Sequence, residues 1–213
     1  MNRQEIYAIG FPAKNAYMPF IDFVLDYATR DDKILDLGGG EGAYSAELIK
    51  RGFNCVNVDL NREYIRSSRA RGVDSLISSA TSLALKDRSF DVVLMFETLE
   101  HIVDFERALY EAKRVARKHI LITVPNCGGY ERLKLLHLTY DHFLATDHVN
   151  FFTKGYLEQV LSNYFCKIEV REEEPIWPSY LLPPYIRYPF RKLIELGIIR
   201  PYAYYRLYAA VEI

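Results

Sequence analysis

Hydrophobic and polar positions along this chain alternate between two spacings, and the alternation predicts a series of helices and strands. Over residues 18–28, Phe20, Ile21, Val24, Leu25, Tyr27 and Ala28 recur at the spacing of one helix face, and the polar run Thr29-Arg30-Asp31-Asp32 ends it. Residues 34–37 form a short apolar run of strand type, and 43–51 a helix-forming segment closed by a basic turn and Gly52. The pattern then predicts a strand over 53–60, a helix over 62–71, a weak strand over 73–79 and a strand over 89–96. An amphipathic helix over 104–117 and a strand over 119–124 follow. Later segments read as a helix over 156–164, a strand over 166–170, a helix over 190–199 and a last strand over 204–213. Strands alternating with helices predict an α/β fold with a doubly wound, mostly parallel sheet and helices on both faces.

The densest punctuation falls at the end of the first strand. Residues 33–42 read Lys-Ile-Leu-Asp-Leu-Gly-Gly-Gly-Glu-Gly, placing four glycines within five residues between a strand and a helix. Glycine lets such a loop turn tightly and lie against a ligand with no Cβ in the way, and a helix N-terminus behind it offers N–H groups. Gly38-x-Gly40-x-x-Ala43 fits a dinucleotide fingerprint, which expects a pyrophosphate at the helix start. Asp36, two residues before the first glycine, opposes that reading, because a carboxylate there repels a diphosphate and attracts a cation.

Asp36-x-Gly38-x-Gly40-x-Gly42 resembles the first motif of the class I S-adenosylmethionine-dependent methyltransferases. Ser89-Phe90-Asp91-Val92-Val93 and Leu99-Glu100-His101-Ile102 are similar to small-molecule members of that family. The resemblance covers about residues 34–125 and is extended by Asp147-His148-Val149-Asn150-Phe151-Phe152-Thr153, similar to a segment of sugar, quinone and lipid methyltransferases. It implies a Rossmann-like, seven-stranded sheet with an antiparallel last strand, and S-adenosyl-L-methionine as cofactor. Asp36, Gly38, Gly40 and Gly42 then form the cofactor loop. Asp59, 21 residues past Gly38, is expected to take the ribose hydroxyls, unless it only caps the helix beginning near Asn61. Leu60 is expected against adenine, together with the backbone of Ala80 and Thr81, and Phe96 is counted with the cofactor residues. Ser79 stands where the family usually has an acid or amide for adenine, and Ala84 where it has a proline.

Methyl transfer from a sulfonium asks for in-line placement, a dry pocket and, for a hydroxyl acceptor, a base. His101, just past the fourth strand, is the first candidate for that base, with packing or capping as the alternative. His148 with Asp147 and His142 with Asp141 form two further pairs, and Glu97 is a candidate for the substrate or for the methionine part of the cofactor. No spacing resembles a zinc or facial-triad pattern, so no metal is expected. Leu182-Pro183-Pro184-Tyr185 lacks the leading acid or amide of the amino-methylating enzymes and lies far from the fourth strand. Cys127 lacks the basic, base-stacking surroundings of pyrimidine chemistry.

Composition narrows the partners. With 27 basic and 28 acidic residues and a net charge of −1, the chain has no field to collect a polyanion, so nucleic acid is not expected. A length of 213 residues, half of them hydrophobic, suits one domain over 1–213, with an N-terminal arm and helix over 1–30 and substrate-side insertions over 130–153 and 175–201. Three scattered cysteines predict reduced thiols, and the absence of a signal-peptide core or a membrane-length run predicts a cytoplasmic protein. The aromatic and basic 175–201 segment reads first as a lid or pocket wall, with a dimer face or a lipid-surface contact as alternatives. The expected activity is methyl transfer to a small-molecule or lipid-linked acceptor, at oxygen, by a monomer or homodimer. A nicotinamide oxidoreductase and a non-catalytic cofactor-binding scaffold are the rivals.

Overall fold

In the computed structural model, which describes residues 14–129, 145–176, 182–201 and 203–213, seven strands form one sheet in the order β3-β2-β1-β4-β5-β7-β6. Strand β1 (Lys33–Leu37) lies between β2 (Asn54–Asp59) and β4 (Phe90–Phe96), with β3 (Asp74–Ile77) outside β2 and β5 (Ala116–Pro125) beyond β4. These five pair in parallel, whereas β7 (Ala203–Glu212) inserts antiparallel between β5 and β6 (Lys167–Ile176). Among the described residues the α-helices are α1 (Met18–Tyr27), α2 (Ala43–Lys50), α3 (Arg62–Ala70), α4 (Phe105–Val115), α5 (Lys154–Ser162) and α6 (Pro184–Glu195). The doubly wound, Rossmann-like sheet with an antiparallel last strand is therefore present as expected.

Successive strand residues point to opposite faces, and here both faces are covered, which is why the central strands are apolar throughout. Leu35, Leu37, Val93, Met95, Ile120 and Ile122 pack under α4 and α5 through Leu109, Ala112, Leu157 and Leu161. On the other face Ile34, Val92, Leu94 and Leu121 pack under α1 and α2 through Phe20, Ile21, Phe23, Val24 and Leu48. Each such side chain removed from water contributes roughly 1.5–3 kcal/mol. The buried stripe of α1 includes Phe23, while Leu25, assigned to that stripe from spacing, is exposed.

Three boundaries differ from expectation, each for a tertiary reason. Helix α4 stops at Val115 and β5 begins at once at Ala116. The amides of Arg88 and Ser89 donate to the carbonyls of Arg114 and Val115, which turns the chain directly into the sheet. Strand β6 runs through the acidic residues to Ile176 instead of ending at Val170, because an edge strand tolerates charge when its partner supplies the opposite sign, and Arg206 of β7 stands opposite Glu173. Helix α6 begins at Pro184 instead of at residue 190. A proline at the first helical position loses no hydrogen bond, and Gly197 in the left-handed region closes the far end through Ile198 N–H to Leu193 O. Residues 1–13 of the expected arm, the Asp141–His142 pair, and residues 130–144 and 177–181 of the expected insertions lie outside the described residues.

Candidate functional site

Strand order reverses between β1 and β4, and at such a switch point the loops at the strand ends diverge and leave a crevice. The glycine loop opens there. Gly38, Gly40 and Gly42 have φ of 80°, 53° and 71°, values that L side chains rarely adopt. A Cβ on Gly38 would also lie 2.4 Å from Thr98 Cγ2, so the turn after β4 seats directly on the loop. Thr98 in turn donates its hydroxyl to the carbonyl of Phe96 at 2.9 Å.

Asp36 sits beneath the loop and not at its tip. It is 1% exposed, accepts a 2.7 Å hydrogen bond from Ser45 Oγ, and would touch a Cβ on Gly39 at 2.4 Å. Burial pushes its carboxyl up to about 6, with the nearby Asp59 charge adding to the effect. From this position Asp36 has no direct contact to offer above the loop, only a field acting through it.

Asp59 stands at the end of β2, where its Oδ2 accepts the Gly40 N–H at 3.0 Å and its Oδ1 accepts the Asn61 N–H at 2.8 Å. The first bond occupies one of the loop amides expected to face outward. The helix cap is Asn61 itself, whose side chain accepts from Glu63 and Tyr64, so Asp59 is not the cap of α3. A carboxylate retains further lone pairs for hydroxyl donors, and Leu60 beside it is 53% exposed. Asn57, not assigned from sequence, pins the loop from below by donating to Gly40 O and Ser68 Oγ, each at 2.9 Å. A polar residue inside a strand whose neighbours Cys55 and Val58 are buried was its only signal.

Around Ala80 and Thr81 the chain makes a tight turn held by Ser79 Oγ, which lies 2.8 Å from Thr81 Oγ1, while Ala80 packs on the core. Phe96 is buried among Phe20, Phe23 and Tyr44, with ring centroids 5.0, 6.3 and 5.6 Å away. Its place is the aromatic core under α1, which makes it a support of the crevice floor. The next residue, Glu97, has φ 49° and lies 3.1 Å from Arg206 Nε, an ion pair without hydrogen-bond alignment. Arg206 also pairs with Glu174, which accepts from Tyr208 OH at 3.0 Å, and its guanidinium covers the Tyr17 and Phe20 rings. Burial, reinforced by the Glu97 charge, pushes the Tyr44 hydroxyl up to about 12. Sequence reasoning missed Arg206 and Tyr44, since a cation in a last strand and a tyrosine in a helix carry no motif.

His101 closes a short 3₁₀ turn, Leu99–His101, and its Nδ1 lies 3.3 Å from the Asp147 carbonyl oxygen and 3.4 Å from Asp147 Oδ2. The structure therefore pairs Asp147 with His101, whereas adjacency in sequence had paired it with His148. The His148 ring packs edge-on against His101 at 4.8 Å, so all three expected catalytic residues meet. They are held by Asn150, whose side chain donates to Leu99 O at 2.9 Å and Ile102 O at 2.7 Å. The amides of Val149 and Asn150 both donate to Glu100 O. Glu100 is buried, and burial together with the Glu97 charge holds its carboxyl well above the ordinary glutamate range. Cys127 lies near this turn, but burial pushes its thiol up to about 11, the opposite of an activated nucleophile, and the three cysteines form no disulfide.

Comparison with known proteins places these features in a family. The methyltransferase-domain family model matches residues 11–168. A demethylmenaquinone methyltransferase from Corynebacterium urealyticum is 34% identical over 86 residues, 40% of this chain and 37% of the relative. One from Mycobacterium marinum is 37% identical over the same extent. The match thus spans little more than a third of the relatives' length. A SAM-dependent methyltransferase structure from Archaeoglobus fulgidus superposes with a TM-score of 0.71 at 15% identity, covering 100% of this chain and 95% of that one.

Proposed function

The chain belongs to the class I, S-adenosylmethionine-dependent methyltransferase family, and on that premise we propose that it transfers a methyl group to oxygen of a small or lipid-linked acceptor. The observation that carries this reading is the glycine loop at the switch point, with Gly38, Gly40 and Gly42 in the left-handed region and Asp59 bonded to Gly40 N–H, and the His101–Asp147 pair on the turn after β4.

The residues present fit the cofactor. Asp59 offers lone pairs to the ribose, Leu60 an apolar face to adenine, and Ala80 and Thr81 a fixed turn beside it. Glu97 and Arg206 offer a carboxylate and a guanidinium suited to the ammonium and carboxylate of an amino-acid group, and Asp36 adds a field that favours a cation over a diphosphate. S-adenosylmethionine, when bound, supplies the electrophilic methyl group. His101, oriented through Nδ1 by Asp147, is the group that takes the acceptor's proton, and the edge-on His148 fixes its plane. The buried segments around Phe152 and Leu99 exclude water from that side. The name of the relatives, demethylmenaquinone methyltransferase, supports a lipid-linked acceptor. Tyr185 and Tyr188 of α6, exposed and with Arg187 between them, are the side chains that we propose such an acceptor would meet.

Calorimetric titration with S-adenosylhomocysteine and with NAD, followed by assays with labelled S-adenosylmethionine and hydroxylated aromatic or isoprenoid acceptors, tests the proposal. Binding of the first ligand alone and label transfer to an acceptor oxygen are expected. His101→Ala should lower turnover about 100-fold or more while leaving S-adenosylhomocysteine affinity and Tm unchanged. NAD binding, or full turnover in a folded His101→Ala protein, would overturn the reading.

A further inference from the structure

Glu100 is the least explained residue of the crevice. It is 1% exposed, and neither of its carboxylate oxygens has a hydrogen-bond partner among the described residues. A buried carboxyl without partners is costly, and in a folded protein such an orphan marks a place where something else is meant to bind. The neighbours say what. One ligand-capable atom each from Glu100, His101 and His148 all lie within 4.8 Å of one another, on two segments 47 residues apart that Asn150 and the Val149 and Asn150 amides clamp together.

We propose that Glu100, His101 and His148 bind a divalent first-row transition-metal ion at the acceptor end of the crevice. Two imidazoles and one carboxylate are the donor set of manganese, iron, cobalt and zinc, and are poorly matched to calcium or magnesium, which favour oxygen throughout. Bonds of about 2.0–2.2 Å put donor atoms roughly 3–3.5 Å apart, so separations of up to 4.8 Å need to close by up to roughly 1.3–1.8 Å, through rotation about the side chains' own χ angles. The supporting contact is already made. A histidine that ligates through one ring nitrogen characteristically presents the other to a carboxylate or carbonyl, and Asp147 offers His101 Nδ1 both. Glu97, the next carboxylate along the turn, is engaged by Arg206 and is not part of the set. The expectation that no metal binds rested on sequence spacing, in which Glu100 and His148 are unrelated.

The role of the ion rests on the acceptor reading above, although its binding does not. With the ion bound, an acceptor hydroxyl coordinated to it would give its proton to solvent near neutral pH and remain as the nucleophilic oxygen, with His101 as a ligand; the role of His101 as base belongs to the ion-free protein. The test uses tag-free protein, treated with a chelator and freed of it, with no S-adenosylmethionine or acceptor present. Co2+ is added and followed by visible absorption and calorimetry. One site per chain with a ligand-field band is expected, weakened at least about tenfold in both Glu100→Gln and His148→Ala. Since Glu100 is buried and substitution there puts the fold at risk, the partly exposed His148 provides the independent check, with Tm recorded for each. No Co2+ binding to the wild-type chain, or equal binding in a folded His148→Ala protein, overturns the proposal. Co2+ binding without S-adenosylhomocysteine binding sinks the methyltransferase reading alone, and the reverse result sinks only the ion site.

Discussion

Asp36 shows how a single buried side chain links stability to ligand binding. Its folded-state value of about 6 lies above that of an exposed aspartate, so the charged form is disfavoured by folding. The group costs nothing below about pH 4, where it is protonated in both states. Its penalty grows as pH rises and is complete once pH passes about 6, where it reaches roughly 3 kcal/mol. Asp36→Asn removes the titration. The stability difference between variant and wild type, measured by urea unfolding, should therefore shift in favour of the variant by about 1–3 kcal/mol between pH 4 and 7. The same variant should bind S-adenosylhomocysteine, which carries an ammonium but no sulfonium, with less loss than S-adenosylmethionine. Parallel pH profiles for the two proteins would show that Asp36 is ionised without penalty under its loop.

At the scale of elements, the segment Asp147–Phe152 is fastened along the turn after β4 by backbone and side-chain bonds, and Asn150 contributes two of them, to the carbonyls of Leu99 and Ile102. Each is worth about 1 kcal/mol net. Asn150→Ala is expected to lower stability by roughly 2 kcal/mol. It should also lower kcat, because Asp147 and His148 lose their registration against His101, while the affinity for S-adenosylhomocysteine stays as in the wild type. A variant with unaltered kcat per folded molecule would show that the clamp serves stability alone. The left-handed Glu97 belongs to the same turn and has its N–H on Thr123 O at 2.9 Å, so β5 also anchors this corner.

For the whole molecule, Arg206 joins the late hairpin to the early half. It reaches from β7 to Glu97 at the end of β4 and to Glu174 of β6, and it covers Tyr17 and Phe20 at the start of the described chain. Removing one partner of a largely buried ion pair leaves the other charge stranded. Arg206→Met should cost about 3 kcal/mol, and hydrogen exchange should accelerate first in β6 and β7, with β1 and β4 the last to open. Uniform acceleration across the sheet would show that the hairpin and the core unfold as one unit. Among the described residues no helix is long and apolar enough to cross a membrane.

What the chain revealed before folding was whatever depends on near neighbours. Strand and helix periods, the glycine cluster at a strand-to-helix junction, and an acid one βα unit further on are written within a few residues of each other, and so the sheet's early half and its loop were legible. Segment ends were less so, because proline at 184 and charge at 172–174 read as breaks until a partner strand or a helix start accounts for them. The site's other half was decided only by tertiary structure. Asp147 pairs with His101 across 46 residues, Arg206 meets Glu97 from the far end of the chain, and Glu100 is orphaned beside two histidines. Sheet order brings these groups together, and spacing along a sequence cannot encode which distant strand ends will share one crevice, since that depends on how the whole set of faces is buried at once.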